Sequence, residues 1–287
     1  MTAAKTPEAL SPDARPATGA NPRWAGLAGR EHRGGSGRSF VFLHGLTFDC
    51  RMWDPVLDAL AETHKAIALD LPGHGSSAPL GRAGLRAVVE AVHEAVCDAG
   101  LDAPIIVGHS IGGALASMYA ASHPATAVVS IDSPIRVESF AGHLLSAREQ
   151  LTGPGFDQVW AQFRRSWQID LLTPAQRELL RSGERGSQQQ VLSYQADLLD
   201  GSLEEIVRQR DEGLERLRLA RMPYVMVHAS PVDSAELTWL ARRLPQAESL
   251  VWPVGHHFPH VAHPERLASL LTGLAAATPP IWDNRAG

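Results

Sequence analysis

The stretch Val107-Gly108-His109-Ser110-Ile111-Gly112-Gly113 is the part of the sequence that decides the fold. Before it, residues 103–107 are apolar and rich in β-branched side chains, which favours a buried strand. After it, residues 114–121 are mostly helix formers, so a helix begins directly after the turn. The glycines let the backbone approach neighbouring segments closely. The sequence therefore predicts a strand, a sharp turn with a serine at its apex, and a helix.

Ser110 lies at the centre of a G-x-S-x-G pattern. In a strand–turn–helix context this pattern indicates a nucleophile elbow, which exposes the serine hydroxyl above the sheet. The N–H of Ile111 then points to the place where an oxyanion forms, beside the positive end of a helix dipole. The pattern is short, and a serine that only caps a helix also fits it. The flanking strand and helix favour the nucleophile.

The composition restricts the class of protein. A chain of 287 residues, 44% hydrophobic and 20% charged, is long enough for one large α/β domain with an insertion. A net charge of −5 without a basic stripe argues against a nucleic-acid partner. No apolar run approaches the ~20 residues of a membrane span. Cys50 and Cys97 are predicted to be free thiols of a cytoplasmic protein. Residues 1–22 have no signal-peptide core and are predicted to form a disordered leader.

Strands and helices alternate along most of the chain. Continuous apolar runs predict buried strands, and amphipathic segments between them predict helices. The predicted strands are 39–43, 65–69, 103–107, 127–131, 223–228 and 248–252, and the predicted helices are 52–62, 82–99, 114–121, 235–244 and 264–274. This alternation indicates a mostly parallel sheet flanked by helices. Residues 24–38 predict a first hairpin with its turn at Gly34-Gly35-Ser36-Gly37.

Residues 136–221 differ from the rest of the chain, because Gln, Arg, Glu and Leu dominate and buried β-branched runs are missing. Breakers at Gly153-Pro154-Gly155, at Pro174 and at 183–186 divide this segment into about four predicted helices. Trp160, Phe163 and Trp167 follow one another at helical spacing and form an aromatic face. That face fits the interior of the insertion and also the wall of a substrate pocket, so Trp160 and Trp167 are candidate substrate-binding residues.

Two further motifs accompany the elbow. His44-Gly45-Leu46-Thr47 follows the strand 39–43, and Asp70-Leu71-Pro72-Gly73-His74-Gly75-Ser76-Ser77 follows the strand 65–69. With these motifs, in this order, the chain resembles the α/β-hydrolase superfamily over residues 24–275. The resemblance implies an α/β-hydrolase fold with its core in two parts, residues 23–135 and 222–287, and a helical cap inserted at 136–221. It also implies that the Leu46 N–H is the second oxyanion donor and that the Asp70 loop is structural.

A serine nucleophile needs a general base and an acid that orients the base. In the superfamily the chain order is serine, acid, histidine. The segment Val254-Gly255-His256-His257-Phe258-Pro259-His260 resembles the superfamily's G-H-F-P-H, which makes His257 the base and His256, at the usual place of the glycine, the alternative. Histidines at positions 256, 257, 260 and 263 would also suit zinc. No carboxylate or cysteine set accompanies them, so no metal is predicted.

Two aspartates are candidates for the acid. The common superfamily position is a G-x-x-D loop after the next-to-last strand, but here residues 228–233 lack the glycine and Asp233 falls one residue late. Asp132 lies at the carboxyl end of the strand 127–131, where some superfamily members carry the acid. Ile131-Asp132-Ser133-Pro134, together with a Ser-Pro loop at 230–231, resembles that subset. Asp132 is therefore the predicted acid and Asp233 the alternative, although Asp132 also fits a simple loop aspartate that caps the next turn.

The resemblance implies a serine hydrolase that cleaves carboxylic esters, lactones included, through an acyl-enzyme on Ser110. No cofactor is required, and the predicted partner is a small molecule with an apolar portion. Alternatives with the same triad are a C–C bond hydrolase, a thioesterase and a cofactor-free haloperoxidase. A ligand-binding member with little turnover is a further hypothesis. Ser110 argues against an epoxide hydrolase or haloalkane dehalogenase, which carry aspartate at the elbow. The sequence leaves the oligomeric state open.

Overall fold

The computed structural model describes residues 21–81 and 84–277. Most of the predicted leader, residues 1–20, lies outside the described residues, as do Arg82 and Ala83 at the predicted start of the second helix and the tail from residue 278.

The described residues form an eight-stranded sheet. The strands are β1 (Arg23–Trp24), β2 (Leu27–His32), β3 (Phe40–Leu43), β4 (Ala66–Leu69), β5 (Ile105–His109), β6 (Ala127–Ile131), β7 (Tyr224–His228) and β8 (Ala247–Val251). Their order in the sheet is β1-β2-β4-β3-β5-β6-β7-β8. All neighbouring pairs from β4 to β8 are parallel, and only β1–β2 and β2–β4 are antiparallel. The predicted mostly parallel α/β sheet is thus confirmed.

The first hairpin was predicted with the wrong turn. The chain reverses at Ala25 and Gly26, between β1 and β2, and not at Gly34–Gly37. Residues 34–37 instead lead from β2 across the sheet to β3, because β4 lies between these two strands. Backbone N–H groups of Gly35 and Gly37 donate to the carbonyls of Glu62 and Thr63 on the way.

Thirteen α-helices occur in the described part of the chain. They are α1 (Asp54–Ala59), α2 (Gly84–Asp98), α3 (Ile111–Ser122), α4 (Val137–Ser146), α5 (Arg148–Thr152), α6 (Phe156–Ser166), α7 (Pro174–Gly183), α8 (Gln188–Tyr194), α9 (Ala196–Asp200), α10 (Leu203–Leu219), α11 (Ser234–Arg243), α12 (Pro259–Ala262) and α13 (Pro264–Ala276). None of these helices is both long enough and apolar enough to cross a bilayer. The predicted helix 52–62 is shorter than expected: a 3₁₀ turn at Cys50–Trp53 precedes α1, which ends at Ala59.

Helices cover both faces of the sheet. Alternate strand residues point to opposite faces, so Val41 and Ile106 join a core with α2 and α3, while Phe42 and Val107 join a second core with α1 and α13. The central strands β3, β4, β5 and β6 are buried along their whole length. This burial explains why they read as continuous apolar runs in the sequence.

Between β6 and β7 lie seven α-helices, α4 to α10, rather than about four. Several are only one or two turns long, since the chain breaks at more places than the glycine and proline signals mark. At Gln168, for example, the backbone has a left-handed φ of 51°. We refer to α4–α9 as the cap helices. The last helix of the segment, α10, packs against α3 and α11 and so lies in the layer of helices beside the sheet.

Hydrogen bonds fasten the cap helices to the loop that follows β4 and to the start of α2. The Tyr194 hydroxyl donates to the Pro72 carbonyl at 2.9 Å, and the Gln190 amide donates to the Gly73 carbonyl at 2.8 Å. The side chain of Asp197, on α9, accepts from the Leu85 N–H in the first turn of α2 at 3.0 Å. Side chains of the cap helices therefore bind backbone groups of the core, and these bonds hold the cap helices above the carboxyl ends of the strands.

Candidate active site

Ser110 occupies the turn between β5 and α3. Its backbone has φ 54° and ψ −121°, a strained conformation for a residue other than glycine. Its N–H donates to the Ile131 carbonyl at 2.9 Å, which holds the turn against β6. A Cβ on Gly108 would overlap the Gly112 carbonyl, and one on Gly112 would overlap the Leu43 carbonyl. The glycines of the motif are therefore required by close backbone contacts, and the serine is raised at the carboxyl edge of the sheet.

The amides predicted to form an oxyanion hole lie beside this serine. The Ile111 N–H is the first of α3, where helix geometry provides no intrahelical acceptor. Leu46 follows β3, whose neighbour in the sheet is β5. Ser110, Ile111 and Leu46 all line one cavity of about 1770 Å³ between the sheet and the cap helices.

The structure brings His257 to Asp132. The Nδ1–H of His257 donates to Oδ2 of Asp132 over 2.7 Å. This bond places the proton on Nδ1, so Nε2 is the nitrogen with a free lone pair. The Asp132 N–H donates to the Val227 carbonyl at 2.8 Å, which anchors the aspartate between β6 and β7. Both side chains are partly buried and line the same cavity as Ser110.

The alternative acid and the alternative base have other surroundings. Asp233 is exposed and caps α11, where its Oδ1 accepts from the Ala235 N–H at 2.7 Å. It does not line the cavity. His256 lines the cavity beside His257, but the bond to the carboxylate belongs to His257.

The histidines that suggested zinc point to different partners. His257 binds Asp132, whereas Nε2 of His263 lies 2.9 Å from the Pro253 carbonyl and His260 is buried beside the Trp53 ring. Within the described ranges, the group of potential metal ligands whose atoms do lie close together is Asp49, Cys50 and Asp70. Its carboxylates already have protein donors, because Asp70 accepts the N–H groups of Cys50 and Ser76 and Asp49 pairs with Arg51.

His109 connects three parts of the site. Its Nε2–H donates to the His257 carbonyl over 2.6 Å. Its Nδ1 faces the loop after β3, so closely that a Cβ on Gly45 would lie 2.7 Å from it. Complete burial, with the neighbouring histidines His260 and His257 as weaker causes, lowers the pKa of His109 well below its usual value. The sequence motifs assign His109 no role, although its place directly before Ser110 is the signal that could have identified it.

His44 and His74 form neutral links between loops. Nδ1–H of His44 donates to the Gly45 carbonyl, and its Nε2 accepts from the Leu71 N–H at 2.9 Å. Nε2 of His74 accepts from the Thr47 N–H at 3.1 Å in the same way. Burial lowers the pKa of both rings, which keeps the acceptor nitrogens unprotonated. The loop after β3, which carries Leu46, is therefore held by the loop after β4.

Aromatic side chains form a wall beside His257. The Trp167 ring lies nearly parallel to the His257 ring, with 6.0 Å between the centroids and 16° between the planes. Trp160 meets Trp167 edge-on at 5.8 Å. Both tryptophans line the cavity. Trp160 also contacts Phe163 in the cap, and Trp167 contacts Phe48 and Phe258 of the core. The aromatic face of α6 and the residue after it thus belongs both to the cap interior and to the pocket.

Comparison with known proteins identifies the family. A model of the alpha/beta hydrolase family matches residues 40–270, which is most of the chain. The protein therefore belongs to the alpha/beta hydrolase family.

The relatives themselves are distant or partial. Over 110 residues the chain is 36% identical to the dihydrolipoyllysine-residue acetyltransferase component of the acetoin cleaving system of Cupriavidus necator. That match covers 38% of this chain and 27% of the other, so the chain spans about a quarter of the length of the curated relative it matches.

Solved structures resemble the whole described fold. An enol-lactonase from Burkholderia xenovorans LB400 has 16% identity and a TM-score of 0.68, covering 88% of this chain and 96% of its own. A carboxylesterase structure from Nitrososphaera gargenis has 18% identity and a TM-score of 0.67, covering 87% and 94%. AqDC, described in recognition and ring-cleavage of the Pseudomonas quinolone signal, has 20% identity and a TM-score of 0.71, covering 88% and 96%. At such identities the likeness shows the fold alone.

Proposed function

We propose that the protein is a serine hydrolase that cleaves carboxylic esters, lactones included, through an acyl-enzyme on Ser110. The observation that carries the proposal is the 2.7 Å bond between His257 Nδ1 and Asp132 Oδ2 in the cavity that Ser110 lines. Membership of the alpha/beta hydrolase family supports hydrolysis as the type of reaction. The names of two structural neighbours, a carboxylesterase and an enol-lactonase, support esters and lactones as substrates.

The proposed reaction has two halves. In the first, Ser110 Oγ attacks the ester carbonyl while its proton passes to Nε2 of His257, and the oxyanion accepts hydrogen bonds from the Leu46 and Ile111 amides. The C–O bond then breaks, and the alcohol leaves with the proton that His257 holds. In the second half, water loses a proton to His257, attacks the acyl-enzyme and releases the carboxylic acid and Ser110. A lactone follows the same steps, with the alcohol still tethered to the acid.

Asp132 has the proposed role of an orienting acid. Its carboxylate keeps the proton of neutral His257 on Nδ1 and stabilises the imidazolium that forms when Nε2 takes the serine proton. The Trp167 ring, parallel to His257, and Trp160 behind it are proposed to bind the apolar part of the substrate next to the reacting carbonyl. Asp233 and His256 have no part in this scheme.

The test uses short-chain p-nitrophenyl esters and a simple lactone with wild type, Ser110→Ala and Ser269→Ala. Ser269 is an exposed serine on α13 that donates to the Glu265 carbonyl, so its substitution is a matched control. We expect kcat to fall by about 10⁵–10⁶ in Ser110→Ala and to stay at the wild-type value in the control. A fluorophosphonate probe should label Ser110 in wild type. Hydrolysis that survives in Ser110→Ala would contradict the proposal, whereas an absence of turnover with normal ligand binding would favour the ligand-binding hypothesis.

A cytoplasmic location remains part of the proposal. Cys50 is buried and Cys97 is exposed, and both are free thiols. Free thiols of this kind fit a reducing compartment. Determining the thiol content of the protein isolated from its native cells under alkylating conditions tests this, since an intermolecular disulfide through Cys97 would indicate an oxidising location.

A further inference from the structure

The cavity continues well beyond the nucleophile. Residues on one face of α3 line it at intervals of three and four positions, from Ile111 through Ala114 and Met118 to Ala121. From Ser110 to Ser122, the last residue of the helix, this face is about 18 Å long at ~1.5 Å per residue. The volume of about 1770 Å³ exceeds the ~300–1,000 Å³ of common ligand pockets. The cavity is therefore an elongated space that begins at Ser110 and follows α3.

The opposite wall of this space, on α10, combines apolar side chains with polar ones such as Gln209 and comes close to α3 near its far end. Ile206, Leu214 and Leu217 of α10 line it across from α3. At Gly213 the two helices nearly touch, since a Cβ built there would meet the Ala121 Cβ at 3.5 Å. The space thus narrows toward the far end of α3, which suits an unbranched chain better than a second ring system.

Three charged residues of the lining have partners in the protein. Asp197 accepts the Leu85 N–H at 3.0 Å, and Arg210 pairs with Glu138 at 2.6 Å. Glu205 accepts a hydrogen bond from Arg208 at 2.8 Å. None of these three side chains is left to bind a charged group of a ligand. Arg86, Glu90 and Arg216 also line the cavity but are exposed to solvent, so the inner part of the wall favours an uncharged chain.

We infer that the substrate carries a long, unbranched, apolar chain that lies along α3 while its ester carbonyl is at Ser110. This rests on the proposed function for the chemistry at Ser110, but the chain site itself depends only on the walls of the cavity. The chain belongs to the acyl half or to the alcohol half of the ester, and two substrate series distinguish these sources.

The first test compares p-nitrophenyl acetate, butyrate, octanoate and dodecanoate with ethyl, octyl and dodecyl acetates. If each methylene enters the apolar space, kcat/KM should rise by about fourfold per methylene until the chain reaches the end of α3. The series that shows this rise identifies the half that carries the chain. Ser110-dependent hydrolysis with a flat profile in both series would overturn the inference and leave the proposed function intact.

A pair of substitutions at Met118 tests the position of the chain. Met118 lies two helical turns beyond Ser110, so Met118→Trp places a large ring across the narrow part, whereas Met118→Leu conserves volume. We expect the ratio of kcat/KM for the longest active ester to that for the shortest to fall at least tenfold in Met118→Trp and to change little in Met118→Leu. Equal ratios in both variants would contradict the inference, provided both keep the wild-type thermal unfolding temperature.

Binding to Ser110→Ala makes the test independent of turnover. Butyrate, octanoate and dodecanoate are titrated into this variant, with intrinsic tryptophan fluorescence and calorimetry as readouts. Affinity that increases with chain length supports the chain site even if no ester is hydrolysed, in which case only the proposed function fails. Affinity that does not depend on chain length overturns the inference. If Met118→Trp does not fold, this titration alone decides whether the chain site exists.

Discussion

At the scale of single residues, Asp132 shows how the chain can hold the proposed acid without the usual loop. Its φ of 45° lies in the left-handed region, which aspartate adopts more readily than most residues. The bond from its N–H to Val227 and the bond from His257 to its carboxylate fix this conformation from two sides. The position at the end of β6 therefore takes the place of the loop after β7, where Asp233 only caps a helix.

Replacement by asparagine should have different effects on kcat at the two aspartates. Asp132→Asn should lower kcat by about 10⁴-fold, because an amide in this position stabilises the wrong tautomer of His257. Asp233→Asn should leave kcat unchanged and keep the helix cap, since asparagine caps as well as aspartate. Steady-state kinetics on a p-nitrophenyl ester checks both variants. A large loss in Asp233→Asn with normal activity in Asp132→Asn would reverse the assignment of the acid.

His109 is expected to position His257 through one hydrogen bond. In His109→Phe the His257 carbonyl loses its 2.6 Å donor, and a net loss of ~1–1.5 kcal/mol corresponds to a decrease in kcat of about tenfold. His109→Gln retains an N–H donor and should recover part of the rate. The split between kcat and KM is the informative measurement, because a shift of the base changes kcat while leaving KM nearly constant. A change in KM alone would contradict the positioning role.

At the scale of elements, the elbow depends on the close contact of β5, α3 and the loop after β3. Gly108 and Gly112 lie where any side chain would overlap a backbone carbonyl, and backbone cannot move aside as a flexible side chain can. The strain at Ser110 is maintained by these contacts and by the bond from its N–H to Ile131. The backbone conformation of Ser110 is thus set by the way two strands and a helix pack against one another.

Two glycine-to-alanine substitutions should therefore have opposite effects on stability. Gly108→Ala is expected to lower the free energy of unfolding by at least ~1–3 kcal/mol through overpacking. Gly142 lies in the middle of α4 with no atom within 4 Å of an added Cβ, so Gly142→Ala is its control. That variant should gain about 0.5–1 kcal/mol, because alanine has the better helix propensity. Urea unfolding measures both. A Gly108→Ala variant as stable as wild type would show that the elbow can relax.

At the scale of the whole molecule, buried histidines join the segments that surround the site. His44 and His74 link the loops after β3 and β4, and His109 links β5 to the loop of His257. His260 lies fully buried against the Trp53 and His109 rings. Burial disfavours the charged form of each ring, and it lowers the pKa of His260 to about 3. The connections at the centre of the molecule thus require neutral imidazoles.

The pH dependence of stability follows from these lowered pKa values. In the unfolded chain histidine takes up a proton near its ordinary pKa of 6.5, whereas folded His260 does so only near about 3. Stability from neutral His260 is therefore fully present above pH ~6.5 and decreases as the pH falls toward ~3, by up to ~1.4 kcal/mol per pH unit. Urea unfolding at several pH values should show this slope, and His260→Phe should flatten it. Equal slopes in the variant and wild type would contradict the prediction for His260.

The sequence alone was sufficient to predict the features of this protein that depend on residues close together in the chain. Continuous apolar runs predict strands buried on both faces, and glycines around Ser110 predict a sharp turn, because both properties are local consequences of side-chain type. The mostly parallel sheet and the family followed from these signals. The structure also places the ring of His257, the base predicted from its motif, within hydrogen-bond distance of the Asp132 carboxylate.

Tertiary structure decided what depends on residues far apart in the chain. Strand order alone does not decide which aspartate meets His257, because Asp132 and Asp233 both follow parallel strands that end at the same edge of the sheet. The loops after these strands decide it, since His257 bonds to Asp132 while Asp233 caps α11. The predicted position of the first hairpin turn was wrong because β4, which is distant in the chain, lies between β2 and β3. The number of cap helices and the course of the cavity along α3 arise from packing between segments, which short sequence patterns do not encode.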